Sequence, residues 1–324
     1  MKATHTVIVR SHPSCLDHVP VLGHPEAPGR LRTVLTSLED AGGRWELERE
    51  AALSPEDDTL GVVRWLHDGA LVERLRTASQ AAPGYVDSTD NPVSSGSFRA
   101  AVAAAGIAVQ TALDLVNGRL TRAFLAIRPP GHHAERDRAK GFCFFNNIAL
   151  VAEVIARAWG VPVLIADYDV HHGNGTQHMF YDRGDVGYLS VHRYPFFPGT
   201  GAGDETGEGP GLGMTLNVPL AVGARDAVYA SAFEAALEEL ANRIRPAVIL
   251  LSAGFDGHQS DPVGGMGLTE EGYRRMTRAV VQASETWSEG RLISVLEGGY
   301  HPGATATSVR AHLEELAGLE DGVS

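Results

Sequence analysis

The stretch VPVLIADYDVHH, residues 161–172, decides how this chain folds. It begins as the apolar run VPVLIA and then changes abruptly to polar residues. An apolar run of strand length without two-residue alternation is typical of a parallel strand that is buried on both faces. A second such run, AVILLSAGF, is closed by Asp256. Because an open parallel sheet binds ligands at the carboxyl ends of its strands, we predict that Asp169, His171 and Asp256 converge there.

These three residues form a recognisable set of metal ligands. Asp169 and His171 are two positions apart, so their side chains point the same way along a strand. Three protein ligands leave one coordination position open for water, as in catalytic zinc sites, whereas four ligands close a structural site. Two oxygens and one nitrogen do not select zinc over iron or cobalt. The pattern therefore predicts a metal hydrolase whose metal identity is open.

The rest of the chain alternates strand-like runs with stretches of helical length. This alternation predicts one α/β domain over residues 1–324, with an open, mostly parallel sheet and helices on both faces. Long Gly/Pro-rich loops at residues 128–141, 194–213 and 257–267 follow predicted strand ends, where loops of that length are usually functional. The other predicted strands are THTVIV, RAFLAI, VGYLSV, MTLNVPL and RLISVLE, and the predicted helices cover residues 96–117, 147–158, 226–243 and 269–288.

Composition and charge limit the classes of partner. The chain has 324 residues, is 44% hydrophobic, and carries a net charge of −13 with a pI of about 5.5. This balance argues against a general nucleic-acid-binding surface. An acidic surface favours cationic partners such as lysine-rich peptides or polyamines, although the same charge also serves solubility.

Cysteine usage and hydropathy indicate a cytoplasmic protein. The two cysteines, Cys15 and Cys143, lie far apart and make no disulfide framework, which fits a reducing compartment. The first residues, MKATHTVIVR, lack the pattern of a secretory signal. The longest apolar runs are too short and too interrupted to predict a membrane span.

Two further strand ends supply candidates for acid–base chemistry. His132 and His133 follow the irregular segment RPPG, and a neutral imidazole is a natural general base for an activated water. Asp167 lies on the same strand face as the predicted ligands but deeper, where a carboxylate can orient an imidazole. Tyr300 follows two glycines and can donate its hydroxyl proton to an oxyanion.

Aromatic residues beside glycines predict the walls of a pocket. Phe142 follows Gly141, and Phe197 lies in the segment FFPGTG. Core packing is the usual role of aromatic clusters, but these two loop positions suit an apolar tunnel. Cys143 has no neighbouring base or cation, so we interpret it as a buried thiol and not as a nucleophile.

Taken together, these segments resemble the histone deacetylase family of zinc-dependent deacylases, which includes acetylpolyamine amidohydrolases and bacterial acetoin-utilisation proteins. The ordered set covers nearly the whole chain and is much more specific than any one motif. The matching stretches are HPEAPGRL, RPPGHHAE, GFCFFNN, DYDVHHGNGTQ, YLSVHRY, FFPGTG, LSAGFDGHQSDPVGG and LEGGY.

The resemblance implies a role for each matching residue. Asp169, His171 and Asp256 would hold one zinc ion, and His133 would be the general base and then the acid for the leaving amine. His132, hydrogen-bonded to Asp167, would be its electrostatic partner, and Tyr300 would polarise the scissile carbonyl. The implied substrate contacts are Phe142 and Phe197 beside the acyl-lysine, the Gly141 carbonyl, and Asp90 on the substrate backbone. The implied structural potassium ligands are backbone oxygens near Asp167, Asp169, His171, Ser190 and Val191.

Two positions refine the expected activity. Asn174 stands where one branch of the family has Asp, so the chain resembles the class II branch, with a less basic second histidine. Val263 stands where a polyamine-selective relative has Glu, which argues against that type of polyamine preference. The substrate is therefore expected to be an acylated lysine peptide or protein, with an acetylated polyamine as the alternative.

Two other functions compete with this interpretation. A two-manganese ureohydrolase shares the architecture and would need extra ligands, for which His172 and Asp261 are the candidates. A non-catalytic acyl-lysine-binding protein would be expected to lose a ligand, the histidine pair or the tyrosine, and the sequence keeps them all. Acyl-chain preference and oligomeric state are not encoded in any motif of the chain.

Overall fold

A computed structural model of the chain describes residues 6–39 and 45–318. The predicted single domain, residues 1–324, includes residues 1–5, 40–44 and 319–324, which lie outside the described part. The strands are β1 (Val7–Arg10), β2 (Trp45–Glu48), β3 (Gly84–Val86), β4 (Ser88–Val93), β5 (Arg122–Leu125), β6 (Val163–Asp167), β7 (Val186–Arg193), β8 (Thr215–Leu220), β9 (Val248–Ala253) and β10 (Leu292–Leu296). The α-helices are α1 (Pro28–Leu38), α2 (Glu56–Leu66), α3 (Gly69–Gln80), α4 (Ser97–Val116), α5 (Asn147–Trp159), α6 (Asn174–Phe180), α7 (Asp226–Ile244), α8 (Glu270–Trp287) and α9 (Pro302–Leu316).

Eight of the strands form one parallel sheet. Their order is β2-β1-β5-β10-β9-β6-β7-β8, and each neighbouring pair is parallel. The remaining two, β3 and β4, form a separate antiparallel pair. Every residue of β5, β6, β9 and β10 is buried, which explains why these strands have apolar runs without alternation. The predicted α/β class with an open parallel sheet is confirmed.

The helices form two groups that cover the sheet. Helices α1, α7, α8 and α9 pack against one another, and α4 and α5 pack together with α2 and α3 outside them. The four predicted helices correspond to α4, α5, α7 and α8. Helix α5 shows how local sequence sets the ends: the Asn146 side chain accepts from Ala149 N at 3.1 Å, and Gly160 ends the helix at φ +63°.

Helix α4 is more apolar than expected, since the sequence predicted no run suited to a membrane span. By length and composition it could cross a membrane, with a mean hydropathy of 1.4. However, 78% of its apolar window is buried inside the domain. Its Ala-rich surface packs against α5 and α2, so a position in the core accounts for the same composition.

The strand order places the candidate residues together. Strands β5, β10, β9 and β6 are consecutive neighbours in the middle of the sheet. The segments that follow them carry the histidine pair, Tyr300, Asp256 and Asp169, respectively. Because all four strands are parallel, their carboxyl ends meet at one edge, and the candidate site lies there.

Candidate metal centre and catalytic site

Asp169, His171 and Asp256 form the predicted metal-ligand cluster. Their ligand atoms all lie within 4.8 Å of one another, and all three residues are buried. His171 Nδ1 lies 3.0 Å from Asp169 Oδ1 and 3.0 Å from Asp256 Oδ2. Backbone N–H groups orient the carboxylates: Val170 donates to Asp256 Oδ1 at 3.0 Å, and Gly298 donates to Asp169 Oδ2 at 2.8 Å.

Three features of this cluster fit a bound divalent cation. Asp256 Oδ2 is buried and accepts no hydrogen bond, because His171 Nδ1, 3.0 Å away, makes its hydrogen bond with Asp169 Oδ1. A buried oxygen in this state is costly unless a cation satisfies it. Burial, and then the like charge of Asp169, raise the pKa of Asp256 to about 7. A Cβ at Gly298 would lie 2.1 Å from Asp256 Oδ2, and one at Gly254 would lie 2.0 Å from Asp169 Oδ2. The glycines therefore let the backbone cradle the carboxylates, and two oxygens with one nitrogen suit a divalent cation such as zinc, iron or cobalt.

The histidine pair lies beside this cluster with a different partner for each ring. His132 Nδ1 lies 3.0 Å from Asp167 Oδ2, which also accepts from the Tyr188 hydroxyl at 3.1 Å. His133 Nδ1 lies 2.8 Å from Asn174 Oδ1. The two imidazole centroids are 4.0 Å apart, so the charge of one ring acts strongly on the other.

The two histidines have opposite pKa shifts. Burial lowers the pKa of His132, but the carboxylates of Asp169 and Asp167 outweigh it and raise the pKa to about 10. Burial, followed by the positive charges of His132 and His171, holds the pKa of His133 well below its usual value. The pair therefore combines a protonated imidazole with a neutral one that can accept a proton.

An apolar cavity of about 190 Å³ opens onto these groups. Its lining includes Phe196, to which the sequence gave no wall role, and Val263, the position compared above with a polyamine-selective relative. The Phe196 ring stacks on His171 with centroids 5.1 Å apart and planes 16° apart, and the Arg193 guanidinium lies 3.8 Å from the same ring. The full lining is Asp90, His133, Gly141, Phe142, His171, Phe196, Phe197, Val263 and Tyr300.

The turn at Gly141 and Phe142 shapes one wall. Both residues have positive φ, +56° and +69°. A Cβ at Gly141 would lie 2.4 Å from the His133 ring, so glycine is required there. Asp90 Oδ2 accepts from Gly141 N at 2.7 Å, and Asn91 Oδ1 accepts from Phe142 N at 2.9 Å. Asp90 thus fixes the backbone of this turn and also lines the cavity.

Asp261 and Arg30 position Tyr300, and sequence reasoning assigned neither of them this role. Asp261 Oδ2 accepts from Tyr300 N at 2.6 Å, and its Oδ1 accepts from Val263 N at 2.9 Å. Arg30 donates to the carbonyls of Gly299 and Glu297, and its guanidinium lies 4.9 Å from the Tyr300 ring centroid. Arg30 and Tyr300 are separated by more than half the chain, so only the fold brings their side chains together.

Two more buried carboxylates were also missed. Glu297 Oε2 accepts from Gly131 N at 2.7 Å and His132 N at 3.2 Å, which fixes the backbone that carries the histidine pair. Glu26 pairs with both Arg30 and Arg128, at 3.0 and 2.6 Å. The only sequence signal for these residues was their presence inside the matching stretches HPEAPGRL, RPPGHHAE and LEGGY.

The extra ligands of a two-metal site do not converge here. Both Asp261 oxygens accept from backbone N–H groups, as described above. His172 uses Nδ1 on Thr200 Oγ1 and Nε2 on Gln177 Oε1, each at 2.8 Å. Within residues 6–39 and 45–318, no metal-ligand cluster of three or more residues is found besides Asp169, His171 and Asp256.

The remaining predicted positions are also placed by the structure. Cys143 is buried and its thiol donates to the Gly141 carbonyl at 3.3 Å, and burial raises its pKa. The carbonyls of Asp169 and Val191 both lie near the Tyr229 hydroxyl, at 3.3 and 2.5 Å, so two of the predicted potassium ligands are neighbours. The side chain of Ser190 lies 2.9 Å from His192 Nδ1, a contact that does not involve the predicted backbone ligand.

Comparisons with known proteins agree with this geometry. Residues 24–316 match the family model described as "Histone deacetylase domain". The chain is 38% identical to a probable deacetylase of Archaeoglobus fulgidus over 89% of this chain and 80% of that protein. It is 36% identical to a histone deacetylase-like amidohydrolase of Pseudomonas aeruginosa over 93% of this chain and 79% of that protein.

A plant relative and a solved structure extend the likeness. Histone deacetylase 15 of Arabidopsis thaliana is 38% identical over 91% of this chain, but the matched region is only 53% of that longer protein. A crystal structure of the HDA15 HD domain superposes with a TM-score of 0.89 at 36% identity, covering 98% of this chain and 89% of that one.

Proposed function

Because the chain belongs to the histone deacetylase family of deacetylases and amidohydrolases, we propose that it is a zinc-dependent hydrolase of ε-N-acyl-lysine. One observation carries the proposal: an apolar cavity leads to a carboxylate–imidazole metal cluster, a neutral histidine and a tyrosine. Its volume of about 190 Å³ suits an acylated alkyl chain better than a large ligand. We assign the whole chain to a single catalytic domain located in the cytoplasm, where its two free thiols would stay reduced.

The metal and the protein divide the chemistry between them. A zinc ion held by Asp169, His171 and Asp256 supplies Lewis acidity, which polarises a carbonyl and lowers the pKa of water. Potassium would have a structural role at the neighbouring backbone carbonyls. All proton transfers belong to side chains of the protein.

His133 and His132 have separate roles in proton transfer. His133, kept neutral by burial and by the charge of His132, accepts the proton of the attacking water. It then returns that proton to the leaving amine, because the amine is a far stronger base. His132 stays protonated beside Asp167 and supplies fixed positive charge near the developing oxyanion.

Tyr300 and the cavity walls orient the substrate. The Tyr300 hydroxyl donates to the carbonyl oxygen as negative charge develops on it. Burial and the Asp256 charge hold the Tyr300 pKa well above its usual value, so the hydroxyl keeps its proton. Phe142, Phe196 and Phe197, which line the cavity, would cover the alkyl chain, and the Gly141 carbonyl and Asp90 would accept from substrate N–H groups.

An acetylated polyamine is the alternative substrate. The net charge of −13 and the Asp90 carboxylate at the cavity favour a cationic molecule. Val263 opposes this choice, because an apolar residue at the cavity provides no partner for a second ammonium group. Asn174 as the partner of His133 favours the class II branch of the family.

The test is a side-by-side assay of the zinc-loaded protein on an acetyl-lysine peptide, a trifluoroacetyl-lysine peptide and acetylated polyamines, with a hydroxamate inhibitor as control. Hydroxamate-sensitive turnover of the peptide would support a lysine deacylase. Preference for the polyamine would support the alternative, and turnover of the trifluoroacetyl peptide alone would indicate a different natural acyl group. No turnover on any of them, with zinc bound, would contradict the roles of His133 and Tyr300.

A further inference from the structure

The loop of the histidine pair is locked against the first turn of α6. Thr176 N donates to the His132 carbonyl at 3.2 Å. A Cβ at Gly175 would lie 2.1 Å from the Ala134 carbonyl oxygen, so the helix can approach the loop this closely only with glycine at that position. Side chains of α6 on this face therefore lie directly over Glu135, the residue that ends the HHAE segment.

Two side chains of α6 hold the Glu135 carboxylate from either side. Asn174 and His178 are four residues apart, so they share one face of the helix. Asn174 Nδ2 donates to Glu135 Oε1 at 2.5 Å. His178 Nδ1 lies 2.9 Å from Oε1 and 3.0 Å from Oε2 of the same carboxylate. Glu135 is thus a bridge between a surface histidine and the buried amide that contacts His133.

These contacts fix which way the Asn174 amide faces. Nδ2 has two acceptors, the Glu135 carboxylate and the His133 carbonyl oxygen at 3.2 Å. In the flipped orientation, Oδ1 would meet both of these oxygens, and the amide nitrogen would face His133. The charged acceptor makes the observed orientation the favourable one.

The orientation of the amide in turn determines the tautomer of His133. Asn174 Oδ1 can only accept, so Nδ1 of His133 must donate and Nε2 must be free of hydrogen. A flipped amide would require the reverse, with the proton on Nε2. That tautomer cannot accept a proton from water at the nitrogen that a general base needs.

We propose that Glu135 is a positioning residue: its carboxylate, held by His178, orients the Asn174 amide and so keeps His133 in the Nδ1–H tautomer. This role rests on the proposed function, in which His133 is the general base. Glu135 does not touch the substrate cavity, and it acts only through Asn174.

The surroundings of His178 support a lasting contact with Glu135. The hydrogen bond with Glu135 raises the pKa of His178, Glu205 adds to this effect, and Lys140 opposes it. The Glu135 backbone is also fixed, because its carbonyl lies 2.8 Å from His67 Nδ1 and its N–H donates to the Arg138 carbonyl at 3.0 Å. The carboxylate is therefore held in place from both ends.

The test compares two side chains of similar length at position 135. Glu135→Gln keeps an oxygen that accepts from Asn174, whereas Glu135→Met removes it. We expect kcat of the methionine variant to fall about 10- to 100-fold with KM and zinc content nearly unchanged. The glutamine variant should stay within about fivefold of the wild type. Asp137→Asn is the matched control, because it removes a carboxylate from the same exposed turn without touching Asn174.

A second readout reports the tautomer without any turnover. Imidazole ¹⁵N–¹H correlation spectra of the zinc-loaded protein should show His133 as the Nδ1–H form, assigned by its absence from His133→Ala. Glu135→Met should introduce the Nε2–H form, and Glu135→Gln should not. If the methionine variant does not fold, Glu135→Leu replaces it in both measurements.

The outcomes separate this proposal from the proposed function. A methionine variant with wild-type kcat and an unchanged tautomer would overturn the role of Glu135. So would a glutamine variant that falls as far as methionine, since it keeps the acceptor oxygen. If the wild type hydrolyses no acyl substrate, the proposed function fails, and the spectra alone still decide whether Glu135 orients Asn174.

Discussion

The buried charges of this protein form two groups that are built in opposite ways. Around Glu26, Oε1 accepts from Arg30 and Arg128 at 3.0 and 2.8 Å, and Oε2 accepts from Arg128 at 2.6 Å. At the metal cluster, Asp256 Oδ2 accepts no hydrogen bond, and the nearby His171 Nδ1 bonds to Asp169 instead. The first group is satisfied by the chain alone, whereas the second is incomplete without a cation. Residues that stabilise the fold balance their charges internally, and residues that bind leave an imbalance for the ligand.

The largest effect should come from breaking the incomplete group. Asp256→Asn should abolish metal binding and lower turnover by about 10³-fold or more, because a Lewis acid supplies several kcal/mol of transition-state stabilisation. The metal-free variant should lose little stability relative to the metal-free wild type, because the weaker contact with His171 is offset by removal of the like charge beside Asp169. Metal content by mass spectrometry and thermal unfolding with chelator test both expectations. A large loss of metal-free stability would contradict the comparison.

Breaking the balanced group should affect stability instead. Glu26→Gln leaves two buried guanidinium groups without their carboxylate and should cost about 3–5 kcal/mol of unfolding free energy at pH 7. Burial favours the neutral acid, but Arg128 and Arg30 outweigh it and lower the pKa of Glu26 to about 2. The contribution of this carboxylate is therefore complete above pH 4.5, its usual pKa, and is lost as the pH falls towards 2.

Urea unfolding of both proteins at pH 7 and pH 3 measures this contribution. Glu239→Gln is the control, because Glu239 is 55% exposed and its pair with Arg243 should contribute about 1 kcal/mol or less. A difference between wild type and Glu26→Gln that does not narrow at low pH would show that the stabilisation is not ionic.

Removing the tyrosine hydroxyl tests a residue that belongs to neither group. Tyr300→Phe should lower kcat by about 10²- to 10³-fold, the usual effect of deleting one oxyanion donor. Metal content and thermal stability should not change, because Tyr300 is held through its backbone N–H and its ring. Loss of metal in this variant would mean that the tyrosine supports the cluster directly.

The smallest effect concerns the surface pair of His178 and Glu135. Its hydrogen bond raises the pKa of His178, so the stabilisation is present below pH 6.5 and is lost as the pH rises through the folded pKa. His178 is 47% exposed, so His178→Gln should cost less than about 1 kcal/mol at pH 6 and nothing at pH 9. Chemical unfolding at the two pH values measures the loss of unfolding free energy. This loss should shrink as the pH rises, whereas the loss caused by Glu26→Gln should shrink as the pH falls. An equal loss of unfolding free energy at both pH values would show that His178 stabilises the fold by packing and not by charge.

The sequence predicted the centre of the fold better than its edge. The seven predicted strands lie in the sheet because each has an apolar run, although the first two residues of THTVIV lie outside the described part. Strand β2 was missed, since WELE contains a single aromatic anchor and three polar or half-buried positions beside it. Helix α9 was missed because its buried face includes Ser308, His312 and Glu315, which disguise its periodicity.

The residues of the site were predictable where they lie within short sequence motifs. The metal cluster was predictable because its ligands lie in short motifs that directly follow β6 and β9, although Asp169 and His171 lie beyond the end of β6 and not on the strand as the sequence predicted. The histidine pair likewise follows β5 in a short motif. Arg30 and Glu26 were not readable as site residues, since their partners are up to 269 positions away. Phe196 gave no signal beyond that of any aromatic residue in a loop, because stacking on His171 is a tertiary contact.

The carboxylate of Asp261 joins two functions that could have evolved separately. One oxygen holds the backbone of the tyrosine and the other holds the backbone of Val263, where the cavity meets its substrate. One carboxylate therefore connects the cavity wall at Val263 with the backbone of the proposed oxyanion donor. If the proposed function holds, variants at position 263 that change the preferred amine should also affect turnover, because the same carboxylate holds the backbone of Tyr300. Phe197 in the same cavity wall offers no escape from this coupling, because its ring packs edge-to-face on His133 with centroids 5.1 Å apart.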